Sequence, residues 1–319
     1  MPRPKKIKAE VPVVEAGVVV STKDPTQSMK DLNKRFGFEA LRYADAVEPR
    51  ERIEFKQGKL NALTGGGLTY GQFHCIWGGK ASGKTSVVLD MIAKAQSKGK
   101  VCVYCDLEHS YNADWAKARG VDTSKLLYGD FYYAEQPLDS IIEFCKSKTV
   151  DLIIIDSIHG LSPKSEQEEK SGKEKSTEND SMALVARKLS QFFRMAAGYV
   201  SNANVCVLLI GQTRKSLGYI CLDTLSGGNA LLHWCSSILN LRRGQTADAP
   251  TLNIKDESGK SKKVIIGFNC VIKVEKSKLT GCVERAEAQL PFYQHAGLQD
   301  EPLDVKPEDV RIVNIEETE

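Results

Sequence analysis

The chain has no apolar run of the eighteen or more residues that a membrane-spanning helix needs, and its first basic residues are not followed by the apolar core of a secretory leader. A soluble, cytoplasmic protein is expected, with no membrane partner. A strong excess of one charge is also missing: 44 basic residues against 41 acidic ones leave a formal net charge of +3 over 319 residues. That excludes a protein that grips nucleic acid by bulk charge and leaves any such contact to local patches. Histidines number only five, and the nine cysteines (75, 102, 105, 145, 206, 221, 235, 270 and 282) are odd in number and scattered through apolar patterns. No disulfide framework follows from them. Cys102 and Cys105 form C-x-x-C, but residues three apart in a strand-like run face opposite ways, and no second pair follows. They read as reduced core residues.

The near-balanced charge is unevenly placed. Arg3, Lys5, Lys6 and Lys8 crowd the first residues, whereas 300–319 carries eight acids against Lys306 and Arg311. Residues 1–26 read as a mobile basic arm and 291–319 as an acidic tail that competes with DNA phosphates for basic surface, or as two solvated ends. Within 27–50, Met29, Leu32, Phe36 and Leu41 stand near a 3.6 spacing, which predicts a short amphipathic helix over 28–43. From 73 onward, strand-like runs (73–77, 101–106, 152–156, 205–211, 238–241) alternate with helical stretches (84–96, 113–119, 138–146, 182–200 and about 230–234). This order predicts an α/β fold with a mostly parallel central sheet flanked by helices. The runs 264–274 and 286–290 alternate more and are expected as antiparallel edge strands. Polar stretches at 162–180 and 214–227 follow the carboxyl ends of predicted strands, the edge at which open α/β sheets bind ligands.

The most specific feature is Gly78, Gly79, Lys80, Ala81, Ser82, Gly83, Lys84 and Thr85, followed by Ser86: a complete G-x-x-x-x-G-K-[ST] between a predicted strand and a predicted helix. Glycines let backbone N–H groups fold around phosphates, the helix N-terminus adds favourable potential, Lys84 reaches the β/γ oxygens and Thr85 ligates Mg²⁺. ATP and Mg²⁺ are the expected cofactors. Asp156 closes an apolar strand where a carboxylate holds Mg²⁺ through water. Glu108, just past the strand 101–106, is placed at the same sheet edge to orient or deprotonate the attacking water, although an acid there also serves as a cap or turn residue. Asp106 reads as structural. Gln212 stands where an amide can sense the γ-phosphate and lead into the Gly-rich stretch beyond. Trp115 either stacks on adenine or packs in the core.

Taken in order, these residues resemble the RecA/RadA recombinase family, most closely its short phage-type (UvsX-like) members, over 28–290. The likeness rests on the Gly-rich lead-in at 60–71, the P-loop, Cys105 to His109 around Glu108, Ile155-Asp156-Ser157, Gly211 to Arg214, Gly227 to Leu231, and Lys276-Ser277-Lys278. It implies a DNA-dependent ATPase with a RecA-like core over 51–290. Such a protein forms helical filaments on single-stranded DNA, pairs it with homologous duplex DNA and exchanges strands in recombination and repair, aided by single-strand-binding and loader proteins. The resemblance makes 27–50 a polymerisation segment and the two polar stretches DNA loops. Met182, Arg187, Ser190 and Arg194 are carried over to the first loop, and Arg214, Leu217, Gly227, Gly228 and Asn229 to the second. Met182 or Leu217 would wedge between base triplets. Lys276 and Lys278 would reach the ATP of a neighbouring subunit. Two apart on a strand, they share a face; alone, each reads as surface charge. The chain ends soon after the core, so no C-terminal duplex-gathering domain is expected. Rival readings are an ATP-binding recombination mediator and a hexameric helicase of the same superfamily.

Overall fold

The apolar runs become strands buried on both faces, because successive residues of each serve opposite sides of one sheet. In the computed structural model, which describes residues 24–164, 182–215, 223–225, 229–255, 260–279, 281–282 and 284–306, the strands are as follows. They are β1 Arg52–Ile53, β2 Leu68–Thr69, β3 Phe73–Gly78, β4 Cys102–Asp106, β5 Leu126–Asp130, β6 Leu152–Asp156 and β7 Cys206–Lys215. Then come β8 Asp223–Leu225, β9 Ser237–Arg243, β10 Thr251–Lys255, β11 Ser261–Ile265, β12 Gly267–Ser277, β13 Glu287–Tyr293 and β14 Gly297–Leu298. The main sheet runs β14-β13-β12-β9-β3-β7-β6-β4-β5, with β8 paired to β7. From β9 to β5 every pairing is parallel, while β12, β13 and β14 are antiparallel, as is the β7–β8 pair.

Along β6, Leu152 and Ile154 enter one core and Ile153 and Ile155 the other. Cys102 and Cys105 divide between the same two faces, so the C-x-x-C pair does not converge. Helices Gly58–Thr64, Lys84–Ser97 and Ala113–Ala118 cover the first face; Glu135–Ser147, Met182–Ala203 and Asn229–Trp234 cover the second. The described cysteines are all free, and all but Cys282 are buried; Cys221 lies outside the described residues. A buried, bidentate Arg119–Asp90 pair, to which Gln57 Nε2 adds a 2.8 Å bond, fixes the P-loop helix to the turn after Ala118. Among the described residues no helix is long and apolar enough to cross a membrane.

Several expectations need correction. The chain divides into two units, Met1–Pro49 and Arg50–Glu319. In the first, the helix is Thr26–Phe36 and does not reach residue 43. It stops at Gly37, whose φ of 75° is left-handed and whose N–H returns to Asn33 O. Asn33 then binds the backbone of Ala40 and Leu41 outside the helix. The single run expected over 264–274 is broken at Ile266: Val264 belongs to the β10–β11 hairpin and Gly267 opens β12. The expected loop 214–227 starts inside β7, where Arg214 pairs with Thr224 of β8. Sheet residues also continue past 290, through Tyr293 and into β14, within the stretch expected as tail.

Candidate functional site

Strands β3, β4, β6 and β7 all deliver their carboxyl ends to one edge, and the residues there form a connected polar group. Gly83, with φ 93°, turns the chain into helix Lys84–Ser97, a conformation suited to glycine. Gly78 is required on other grounds: a Cβ there would stand 1.9 Å from Leu241 O. Lys84 Nζ donates to Gly78 O (3.1 Å) and Gly79 O (2.7 Å), so the ammonium is held within its own loop. Burial pulls its pKa down, against the pull of Asp156 and Glu108. Lys80 and Ala81 lie on the exposed outside of the loop, Ser82 and Ser86 are buried beneath it.

Thr85 Oγ1 donates to Asp156 Oδ2 at 3.0 Å, and Tyr104 Oη donates to the same oxygen at 2.6 Å. Burial raises the Asp156 pKa, the Glu108 and Asp106 charges add to this, and the two hydroxyl bonds oppose it. A buried carboxylate beside two others is a site short of positive charge, which a divalent cation supplies. Among the described residues no cluster of three or more His, Cys, Asp or Glu could hold a metal alone. Thr85 and Asp156, one hydrogen bond apart, are oxygen donors that could hold Mg²⁺ together with phosphate oxygens. Glu108 Oε1 accepts from Gln212 Nε2 at 2.5 Å and from Ser157 Oγ. Asp106 instead binds its own backbone, at Glu108 N (3.2 Å) and Tyr111 N (2.8 Å), the structural role expected of it.

Tyr104→Phe removes the shorter bond to Asp156 while keeping the ring. The hydroxyl favours the carboxylate form, so its loss raises the Asp156 pKa further. The acid limb of metal-dependent turnover is expected to move to higher pH, and the Mg²⁺ concentration for half-maximal rate to rise about tenfold. A magnesium titration repeated across pH checks this.

A cleft of about 370 Å³ opens beside residues 81–86 and is walled by Arg243, Ile265, Gly267, Phe268, Phe292 and Gln294. Phe268 and Phe292 stack with centroids 4.6 Å apart, and the Arg243 guanidinium lies 4.4 Å from the Phe268 centroid. Trp115 is not on this wall. It is half-buried against the first core, with the Arg119 guanidinium 5.6 Å from its ring centroid. Tyr104, Phe268 and Phe292 were not singled out by sequence reasoning, and Ser157 entered only as the last residue of the motif around Asp156. The polar partners sit in strand or motif runs that read as core, and the two phenylalanines meet only through the β12–β13 register Phe268↔Phe292.

Residues 23–297 match the family model of the RecA N-terminal domain. The chain belongs to the RecA family. It is 34% identical over 283 residues to Protein RecA of Campylobacter fetus subsp. fetus (strain 82-40), an alignment covering 87% of this chain and 77% of that one. RecA-family proteins are DNA-dependent ATPases of homologous recombination, and the chain is a recombinase of that kind.

Of the residues expected from the resemblance to contact DNA, Arg187 and Arg194 are exposed and Ser190 half-buried on helix Met182–Ala203. Their spacing puts them on one face, opposite Leu189, Phe192, Phe193 and Ala196 in the core. Met182 opens that helix, Arg214 lies in β7 and Asn229 opens helix Asn229–Trp234. Leu217, Gly227 and Gly228 lie outside the described residues, as does most of 162–180. Lys276 ends near the close of β12 and Lys278 just beyond it, and both ammoniums reach His233 O, at 3.4 Å and 3.3 Å; Lys276 also donates to Leu232 O. Both ammoniums thus meet on one carbonyl, at the end of helix Asn229–Trp234.

Proposed function

We propose that this RecA-family protein hydrolyses Mg²⁺-bound ATP at the edge formed by β3, β4, β6 and β7, and that the site is completed by a neighbour in a helical filament on single-stranded DNA. The observation that carries the reading is the gathering of two bonded pairs, Thr85 with Asp156 and Gln212 with Glu108, about Lys84, whose ammonium feels the charge of both carboxylates. When bound, Mg²⁺-ATP supplies the phosphoanhydride to be cleaved and a charge that the buried carboxylates lack. Residues 78–86 would cradle the phosphates, and Lys84, now on its loop carbonyls, would supply their counter-charge. Thr85 and, through water, Asp156 would hold the metal. Glu108 would take the proton of the attacking water, its Oε1 anchored by Gln212 and Ser157. Gln212 reports phosphate state to the second DNA loop. The stacked phenylalanine pair is the better platform for the base, and Trp115 backs the P-loop helix through Arg119.

Arg187, Ser190, Arg194 and Met182 with Arg214, Leu217, Gly227, Gly228 and Asn229 would form the DNA face. Homologous duplex DNA is the second substrate, strand exchange the outcome, and single-strand-binding and loader proteins the helpers. The phage-type likeness and a cytoplasmic site of action complete the reading. Its test is ATP hydrolysis with and without single-stranded DNA, at several protein concentrations and low salt. Stimulation that rises cooperatively with protein is expected. Turnover that is absent, or indifferent to DNA, would transfer the assignment to an ATP-binding mediator.

A further inference from the structure

Strand β7 outruns its neighbour. Its ladder with β6 ends at Ile155↔Leu209, whereas its pairing with β3 continues to Gly78↔Gln212. The Gln212 N–H thus lies beyond the last strand partner on the β6 side, and the turn after β6 supplies the acceptor: Gln212 N donates to His159 Nδ1 at 3.1 Å. A ring nitrogen accepts only when it carries a lone pair, so Nδ1 is the unprotonated nitrogen of this imidazole.

The turn Ile158–Gly160 that presents the ring is wedged on both sides. Ile158 is 2% exposed in the second core, and a Cβ on Gly160 would meet Leu107 O at 2.3 Å, on the residue preceding Glu108. Gly160 N also returns to Ser157 O at 3.0 Å. Ser157 and the Gln212 side chain meet on the same oxygen, Glu108 Oε1. A closed circuit results: Glu108 to Ser157, along the turn to His159, across to the Gln212 backbone, and back through its side chain to Glu108. His159 stands three residues before the stretch 162–180, and Gln212 two residues before Arg214.

We infer that His159 is a positioning residue that ties the root of the first DNA loop to Gln212, so that DNA held by that loop sets the glutamine against Glu108. The inference rests on the ATPase reading above. The probes are His159→Leu, which keeps bulk and removes the acceptor, and His159→Asn, which can place an amide oxygen where Nδ1 stands. In the full chain, His159→Leu is expected to lower the turnover number with saturating poly(dT) about tenfold while half-saturating ATP moves less than about twofold. His159→Asn should recover turnover to within about threefold of the unsubstituted protein. Amide hydrogen exchange gives a readout free of activity: the Gln212 N–H should exchange faster in His159→Leu and stay protected in His159→Asn. Equal loss in the two variants, unchanged stimulation in His159→Leu, or unchanged Gln212 exchange would each overturn the inference. An unsubstituted protein without DNA stimulation would overturn the ATPase reading as well, which separates the two failures.

Discussion

Glu108→Gln is expected to reduce DNA-stimulated ATP turnover by ~10²–10⁴-fold while nucleotide and single-stranded DNA remain bound, so that ATP-loaded filaments accumulate. The substitution is nearly isosteric. Its amide oxygen can still accept from Ser157 and from Gln212 Nε2, the two groups that now fix Oε1. What it removes is the capacity to accept a proton from water. Lys84→Ala offers the contrast, because the ammonium that now sits on Gly78 O and Gly79 O is the group proposed to meet phosphate charge. That variant should lose nucleotide binding and filaments together. Phosphate release read beside equilibrium nucleotide binding separates the two effects. Equal loss of binding in both variants would reduce Glu108 to a structural carboxylate of the kind Asp106 is, bonded to its own loop backbone.

The elements that sequence showed well are those whose signal is local. A P-loop is contiguous, and Asp156 in β6 and Gln212 in β7 come at the end of apolar runs whose continuous burial on two faces is unmistakable. The helix Met182–Ala203 is equally local, since Leu189, Phe193, Ala196 and Val200 repeat at helical spacing. β5 escaped because it is an edge strand of burial pattern buried, exposed, exposed, half-buried, exposed, so Leu126–Asp130 shows no alternation. Tyr104 escaped for the opposite reason: a fully buried aromatic in a strand reads as packing, and its hydroxyl's aim at Asp156 depends on the β4–β6 register Tyr104↔Ile154. The phenylalanine wall of the cleft beside the P-loop needs the antiparallel pairing of β12 with β13, which no spacing within either strand reveals. Trp115 illustrates the converse limit. A tryptophan near a nucleotide motif invites a stacking role, yet its ring packs on the first core beneath Arg119.

The lysine pair calls for a test in which two chains must cooperate. Both ammoniums are held at the C-terminal carbonyls of helix Asn229–Trp234, where the backbone dipoles favour cations. That hold is incomplete compensation: burial lowers the Lys276 pKa, and the neighbouring Lys278 charge lowers it further. Two positive charges brought together against a neutral carbonyl are poised for a stronger, anionic partner, and the phosphates of ATP on an adjoining subunit are one. Replacing Lys276 and Lys278 together by Ala is expected to cut DNA-stimulated turnover by ~10²–10³-fold, with nucleotide binding to the unassembled chain preserved. The lost helix-end contact is worth only about 0.3–1 kcal/mol each, too little to unfold the core. Mixing decides whether the pair acts across an interface. A lysine-less chain keeps its own P-loop and Glu108, while a Glu108→Gln chain keeps its lysines. In an equimolar head-to-tail filament of random order, about a quarter of the interfaces join the intact halves of the two variants, so turnover should recover toward that fraction of the unsubstituted rate. Filaments that form from the mixture without regaining turnover would confine the lysines to the end of their own helix, and the site would then need no neighbour to complete it.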